Sequence, residues 1–128
     1  ARPIALHSTA ISTADTDLYL FGWGVPTYDS SYIFDYLVHT RGKEGRGPFN
    51  ATGYSNPDVD ARIVSLASES DKAKRDATIK SIWQTVQKER FYIPLHDQVL
   101  SQVSTPRLNI PVSPDGILFF KSVKVAKK

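Results

Sequence analysis

The sequence of 128 residues contains no cysteine, which excludes disulfide bonds, thiolate catalysis and cysteine-based zinc sites. The lack of cysteine is compatible with a secreted or periplasmic protein, although many cytosolic proteins also lack it. No apolar run approaches the roughly 20 residues of a membrane-spanning helix, and no signal peptide is recognisable. Methionine is absent as well. Because a natural full-length chain starts with methionine, we expect a processed chain or a fragment of a longer protein.

A strong charge of one sign is also missing from the sequence. There are 16 Lys and Arg residues against 13 Asp and Glu residues, for a net charge of +3. The basic residues are scattered, whereas a nucleic-acid-binding protein more often shows a clustered basic stripe. We therefore expect no nucleic-acid partner. Hydrophobic residues make up 41% of the chain, which is typical of a globular protein with a real core.

The motifs of the common enzyme classes are absent. There is no Gly-x-Ser-x-Gly nucleophile elbow, no His-Glu-x-x-His zinc motif and no Gly-x-x-x-x-Gly-Lys phosphate loop. A catalytic triad can still be drawn on paper from His7, His39 or His96 and the many serines. We expect a protein that is not an enzyme and that uses no cofactor or metal, with a hydrolase as an alternative.

The hydrophobic pattern predicts an α/β chain. Asp29, Ser30 or Ser31 can cap the first turn of a short helix, and Asn56 followed by Pro57 is a clear helix start. In chain order the predicted elements are a weakly structured lead-in (1–16), a buried strand (17–23), a helix (29–38), a long Gly-rich loop (40–55), an antiparallel helical pair (57–69 and about 71–90), an extended stretch (92–104), a loop (105–116) and a final strand (117–125).

Four short blocks stand in a fixed order along the chain. They are Phe21-Gly22-Trp23-Gly24 with Asp29 shortly after; Gly53-Tyr54-Ser55-Asn56-Pro57-Asp58-Val59-Asp60; Ser70-Asp71-Lys72-Ala73-Lys74-Arg75, opening the helix that carries Trp83 and Gln84; and Phe91-Tyr92-Ile93-Pro94-Leu95 with His96 behind it. Together they resemble the C-terminal part of the solute-binding proteins of oligopeptide and dipeptide ABC importers, bacterial extracellular solute-binding protein family 5. The resemblance covers the chain from about residue 15.

The resemblance implies a periplasmic-binding-protein-like fold of type II, in which two lobes enclose a ligand. Residues 1–91 would belong to the second lobe, and residues 92–128 would cross back to the first lobe as return strands. A peptide or other small solute would be bound in the interlobe cleft and presented to an ABC permease in the membrane. The expected location is the periplasm, or the cell exterior with a membrane anchor. Since most of one lobe would be missing, we expect weak or no binding by this piece alone.

The resemblance and the position of Trp23 at a predicted strand end give the candidate ligand-binding residues. An indole offers a flat apolar face for stacking, and a neighbouring glycine lets a ligand approach the backbone. Residues past Pro94 would reach the same cleft. The candidates are Trp23, Gly24, Tyr28, Asp29, His96 and Gln98.

Several alternatives remain open in the sequence. Trp23 could be a core aromatic, Asp29 could cap the following helix instead of binding ligand, and His96 could lie exposed at a strand end. Peptide-binding members often place an aspartate a few residues after this tryptophan, where the chain has Pro26. A buried ammonium needs a partner charge, so opines, sugars and modified peptides are alternatives to a free peptide. Unpaired strands over 92–104 and 117–125 would favour self-association or binding of a partner chain.

Overall fold

The structure, a computed structural model, describes residues 3–42, 45–99, 101–113 and 116–125. Its helices there are α1 (Ile4–Ser12), α2 (Ser30–Ile33, continued by a π-helical turn over Phe34–Val38), α3 (Pro57–Ser65) and α4 (Lys72–Glu89), with a 3₁₀ turn at Phe120–Ser122. Strands β1 (Leu108–Asn109) and β2 (Lys124–Val125) form an antiparallel ladder. None of the helices in the described part of the chain is long and apolar enough to cross a membrane.

Helices α3 and α4 form the predicted antiparallel pair. The Asn56 side chain accepts hydrogen bonds from the first turn of α3, and Pro57 occupies its first position, as predicted. Asn56 also donates to Glu89 at the far end of α4, 3.1 Å away. The start of one helix therefore lies beside the end of the other, and Arg62 links them further by donating to Ser81 and Thr85.

The hydrophobic core lies between this helical pair and α2. The predicted helix over 29–38 is confirmed, with Asp29 as its cap. Phe34 is fully buried, and its ring centroid lies 4.9 Å from that of Trp83. The buried members of the core are Phe34, Val38, Val59, Ile63, Leu66, Ile82 and Val86. The apolar faces predicted from the sequence thus meet in one core, although Ala67 is exposed.

The Gly-rich loop over 40–55 is anchored on the π-helical turn. That turn widens the helix, with the His39 N–H bonded to the Phe34 carbonyl. The Gly47 N–H then donates to the Asp35 carbonyl at 2.7 Å, and the Phe49 N–H donates to the Tyr36 carbonyl at 3.0 Å. Gly47 has a φ of +63°, and a Cβ there would lie 2.2 Å from the His39 carbonyl oxygen, so only glycine fits this crossing. Lys43 and Glu44 of this loop lie outside the described residues.

The lead-in predicted over 1–16 is wrong for most of its length. Residues Ile4–Ser12 form α1, on which Ala10 and Ile11 are buried. Three threonine and serine hydroxyls of this segment donate back to helix carbonyls three or four residues earlier, namely those of Thr9, Ser12 and Thr13. These hydroxyls bond to carbonyls of the helix itself, although small polar residues more often favour turns and irregular segments.

The strand predicted over 17–23 is also wrong, because no strand neighbours it in the described part of the chain. A strand needs a partner to satisfy its backbone groups. The apolar side chains of this segment instead line an open cavity, and Leu18 remains 83% exposed.

The return strands are shorter than predicted. Described residues of the stretch 92–104 form no strand, and Val103 is 95% exposed; Leu100 lies outside the described residues. Of the strand predicted over 117–125, only Lys124–Val125 pairs, and its partner Leu108–Asn109 falls in the predicted loop over 105–116. β-branched and aromatic composition favours extension, but a ladder forms only where a second strand is available.

Candidate functional site

A cavity of about 920 Å³ lies beside the predicted Trp23 segment. Four parts of the chain build its wall: one face of α1, the extended segment 18–23, the loop after α2, and the segment that follows α4. Apolar and aromatic side chains dominate the wall, including Leu20, Phe21, Trp23, Phe49 and Ile93. A volume of this size and an apolar lining are typical of sites for small molecules.

Trp23 lies at the centre of an aromatic cluster, three of whose rings, those of Phe21, Trp23 and Phe49, line the cavity. The cluster consists of Phe21, Trp23, Tyr32, Tyr36 and Phe49. Its closest contact to the indole is the ring of Phe49, 5.0 Å between centroids. The indole Nε1 is buried with no hydrogen-bond partner in the described part of the chain. Trp23 therefore combines both roles considered for it, because its Nε1 is buried while the residue also lines the cavity.

Asn50 holds the loop that carries Phe49 into the wall. It is only 2% exposed, and its Nδ2 donates to the carbonyls of His39 at 3.0 Å and Tyr54 at 2.8 Å. Its Oδ1 accepts from the Thr52 hydroxyl at 3.0 Å. Because the amide satisfies the loop's buried carbonyls, the wall on this side keeps a fixed shape without regular secondary structure.

Helix α1 is tied to the rest of the cavity by two cationic or polar side chains. The His7 Nε2 donates to the Leu20 carbonyl at 2.9 Å. Arg41, itself part of the wall, donates to the Ser12 carbonyl at 3.3 Å at the end of α1. These contacts hold α1 against the segment 18–23 and against the loop after α2.

The segment after α4 forms another part of the cavity wall. Helix α4 ends at Arg90, whose left-handed conformation (φ 53°) redirects the chain. Tyr92 is then drawn inward, where its hydroxyl donates to the Leu37 carbonyl at 3.1 Å. Burial, with a smaller effect of Tyr19, raises the pKa of the Tyr92 hydroxyl well above its usual value, so Tyr92 acts here as a neutral donor.

The Asp29 carboxylate contacts other groups of the protein itself. One carboxylate oxygen accepts from the Ser31 N–H at 2.8 Å, as a helix cap, and from the Arg75 guanidinium at 2.9 Å. These bonds, that of Arg75 first, lower the pKa of the Asp29 carboxyl to about 2. Of the two roles considered for Asp29, the cap is the one observed. No residue in the described part of the cavity wall carries a carboxylate.

This arrangement predicts a stability difference between two substitutions of Asp29. Asp29→Ala should cost about 1 kcal/mol for the lost cap, plus a fraction of 1 kcal/mol for the exposed ion pair with Arg75. Asp29→Asn keeps a good cap and should lose only the ion pair. The measurement is urea unfolding of the wild type and both variants at neutral pH.

The same ion pair predicts a pH dependence. Folding lowers the pKa of the Asp29 carboxyl from 3.8 to about 2. Its stabilising contribution is therefore complete above pH 3.8 and is lost as the pH falls towards 2. Asp29→Asn should lack this part of the acid destabilisation. An Asn variant that loses stability over this interval as much as the wild type would exclude Asp29 as its source.

The predicted site residues are distributed unevenly around the cavity. Trp23 lines it, whereas Gly24, Tyr28, Asp29, His96 and Gln98 lie outside its wall. Tyr28 has a left-handed backbone (φ 53°) just before the cap of α2. His96 is exposed, and Gln98 lies close to Gly22, where an added Cβ would be 3.8 Å from the Gln98 Oε1. The segment past Pro94 thus runs beside the Trp23 segment without its predicted side chains entering the wall.

Several wall residues were not predicted from the sequence. The largest omissions are Phe49, Tyr92 and the two arginines Arg41 and Arg90. Tyr92 belongs to the fourth block of the resemblance, which was a usable signal. Phe49 gave none, because a phenylalanine in a glycine-rich loop carries no periodicity that indicates its direction.

Two of the three histidines considered for a catalytic triad contact backbone carbonyls, and His96 is exposed. His7 contacts Leu20, and the His39 Nδ1 lies 2.8 Å from the Thr40 carbonyl and 3.7 Å from the Asp60 carboxylate. The Asp60 carboxylate also accepts from the Thr40 N–H at 2.9 Å, so this group ties the loop to α3. Among the residues that the structure describes, no group of three or more His, Asp or Glu side chains could hold a metal ion.

The cavity, the aromatic cluster and the anchored loop are the features with which known proteins can be compared. No family model, no curated protein and no solved structure matched the chain.

Proposed function

We propose that this chain is the C-terminal part of a solute-binding protein of an ABC importer, and that the cavity beside Trp23 is one wall of its ligand site. The observation that supports the proposal most is which segments line the cavity. The Trp23 segment and the Phe91–Leu95 segment, which are distant in sequence, line the same space of about 920 Å³. In the family that the chain resembles, both segments are expected to lie at the ligand cleft.

The chemistry of the wall supports binding better than catalysis. Aromatic rings offer apolar contact area with few rotatable bonds, which suits reversible recognition of a planar or apolar solute. The wall contains no carboxylate in the described residues, and two of the three histidines bond to backbone carbonyls. A nucleophile with an adjacent general base is not what these side chains form.

An interaction module is the second candidate, and the exposed extended segment favours it. Between residues 93 and 103, the large apolar side chains that the structure describes are strongly exposed: Ile93, Leu95, Val99 and Val103. Contiguous exposed apolar surface marks binding sites for other chains or for a missing lobe. On the proposed function, this surface is where the first lobe packs.

The proposal is tested by a ligand-observed NMR screen of the 128-residue chain against opines, sugars, short peptides and aromatic acids. We expect weak binding of at least one class, because a single wall of a two-lobed cleft contributes only part of the contact area. Phe49→Ala should weaken that binding about tenfold, through loss of an aromatic contact and its buried area. Phe120→Ala, which removes an exposed ring outside the wall, is the matched control and should leave binding unchanged.

Two results would overturn the proposed function. One is the absence of binding by every class of solute, because all the segments that line this cavity belong to the chain under test, so the cavity itself should bind at least weakly. The other is equal affinity for the wild type and Phe49→Ala, which would place the binding elsewhere on the chain.

A further inference from the structure

We infer that the cavity selects a small solute with an apolar, preferably aromatic, body and an anionic group such as a carboxylate. This inference rests on the proposed function and specifies the class of its ligand. It follows from the charges in the wall and from the hydrogen bonds that the wall already makes.

The charges of the wall are all of one sign. Arg41 and Arg90 are its ionised side chains among the described residues, and none of these wall residues carries a carboxylate. They come from different parts of the chain, Arg41 from the loop after α2 and Arg90 from the residue that follows α4. An arginine presents a planar fork of donors that matches a carboxylate in two parallel hydrogen bonds.

Neither guanidinium is neutralised by an acid of the described chain. The acids of the described ion pairs contact other side chains, Asp35 with Arg46, Asp58 with Arg62, Asp29 with Arg75, Asp76 with Lys72 and Asp60 with His39. Arg41 makes only a bond of 3.3 Å to a backbone carbonyl, which leaves most of its donors for a ligand.

The hydroxyls of the wall are largely committed to the protein. Those of Thr9, Ser12, Thr52 and Tyr92 each donate to a protein oxygen. Ionic recognition of a solute therefore falls to the guanidinium groups, which are the ionised side chains of the described wall, and apolar recognition to the rings around Trp23. A cationic solute finds no carboxylate among the described wall residues, and the Asp29 carboxylate accepts from Arg75 and Ser31.

The test uses three probes with one apolar body and three charges: 2-naphthylacetate, its neutral amide and 2-(2-naphthyl)ethylamine. Binding is followed on the full ¹⁵N-labelled chain by the two indole N–H signals. Trp23 lies in the wall, whereas the indole of Trp83 donates to Ser30 and serves as an internal control. We expect the Trp23 signal to shift, with the anion binding about tenfold more tightly than the amide and the amine binding most weakly.

Variants assign the preference to the arginines. Arg41→Gln and Arg90→Gln should each reduce the affinity for the anion by a larger factor than the affinity for the amide. Arg41→Lys and Arg90→Lys should restore part of the preference, because the charge is kept while the planar fork is lost. Arg107→Gln, an exposed arginine outside the wall, controls for the net charge.

The outcomes separate the inference from the proposed function. Equal affinity for the three probes, or tightest binding of the amine, would overturn the charge preference while the cavity remained a solute site. Persistence of the preference in both Gln variants would overturn the role of the arginines. Failure of all three probes to shift Trp23 would overturn the inference together with the proposed site.

Discussion

Replacing Phe34 by alanine should lower the free energy of unfolding by about 3–5 kcal/mol, the cost of removing a fully buried aromatic side chain. Phe34 is 0% exposed and is the largest fully buried side chain. It joins α2 to both helices of the pair through the core it shares with Val59 and Ile82. Since small domains have a total stability of about 5–15 kcal/mol, this variant should be close to unfolding at moderate temperature.

The measurement for Phe34 is urea unfolding followed by circular dichroism, with Phe120→Ala as the matched control. Phe120 is the same residue type but is 81% exposed, so its loss should change stability by less than about 0.5 kcal/mol. A cost below about 1 kcal/mol for Phe34→Ala would mean that the helices do not share this core.

Asn50→Asp should be nearly as severe, at about 3–5 kcal/mol at neutral pH, because it leaves a buried charge without a partner. The substitution replaces an amide that donates to the carbonyls of His39 and Tyr54 with an oxygen that faces them. Burial and these carbonyls should raise the pKa of the introduced carboxyl above its unfolded value. The deficit should therefore be complete at neutral pH and shrink as the carboxyl becomes protonated on acidification.

The control for Asn50 is Asn109→Asp, an exposed position on β1 opposite Lys124. It should change stability by less than about 0.5 kcal/mol. Because Asn50 holds the loop of Phe49, Asn50→Asp should also weaken solute binding under conditions where the chain remains folded. A deficit of Asn50→Asp that is independent of pH would contradict the predicted burial of the introduced charge.

The helices could be predicted from the sequence because their signals are local. Asn56 followed by Pro57 marked the start of α3, and the apolar spacing of Ile82 and Val86 marked the buried face of α4. The strands could not be predicted in the same way. Segment 17–23 has strand composition, but whether it becomes a strand depends on a distant neighbour, and its side chains line a cavity instead.

The site was predictable only in part, for the same reason. The sequence singled out Trp23 and the segment near Pro94, and these two regions approach one another. It could not show that Asp29 would be occupied by Arg75, a residue 46 positions away. Nor could it show that Arg41 and Arg90 would face the same space, because each is an ordinary surface residue by its local pattern.

The central claim is that a small solute binds against the aromatic cluster around Trp23. Its most direct test is the measurement of nuclear Overhauser effects between a bound solute from the screen and the side chains of the isotopically labelled chain. We expect contacts from the solute to the rings of Trp23, Phe49 and Tyr92 in the same complex. Contacts confined to the exposed segment 93–103, with none to Trp23, would contradict it.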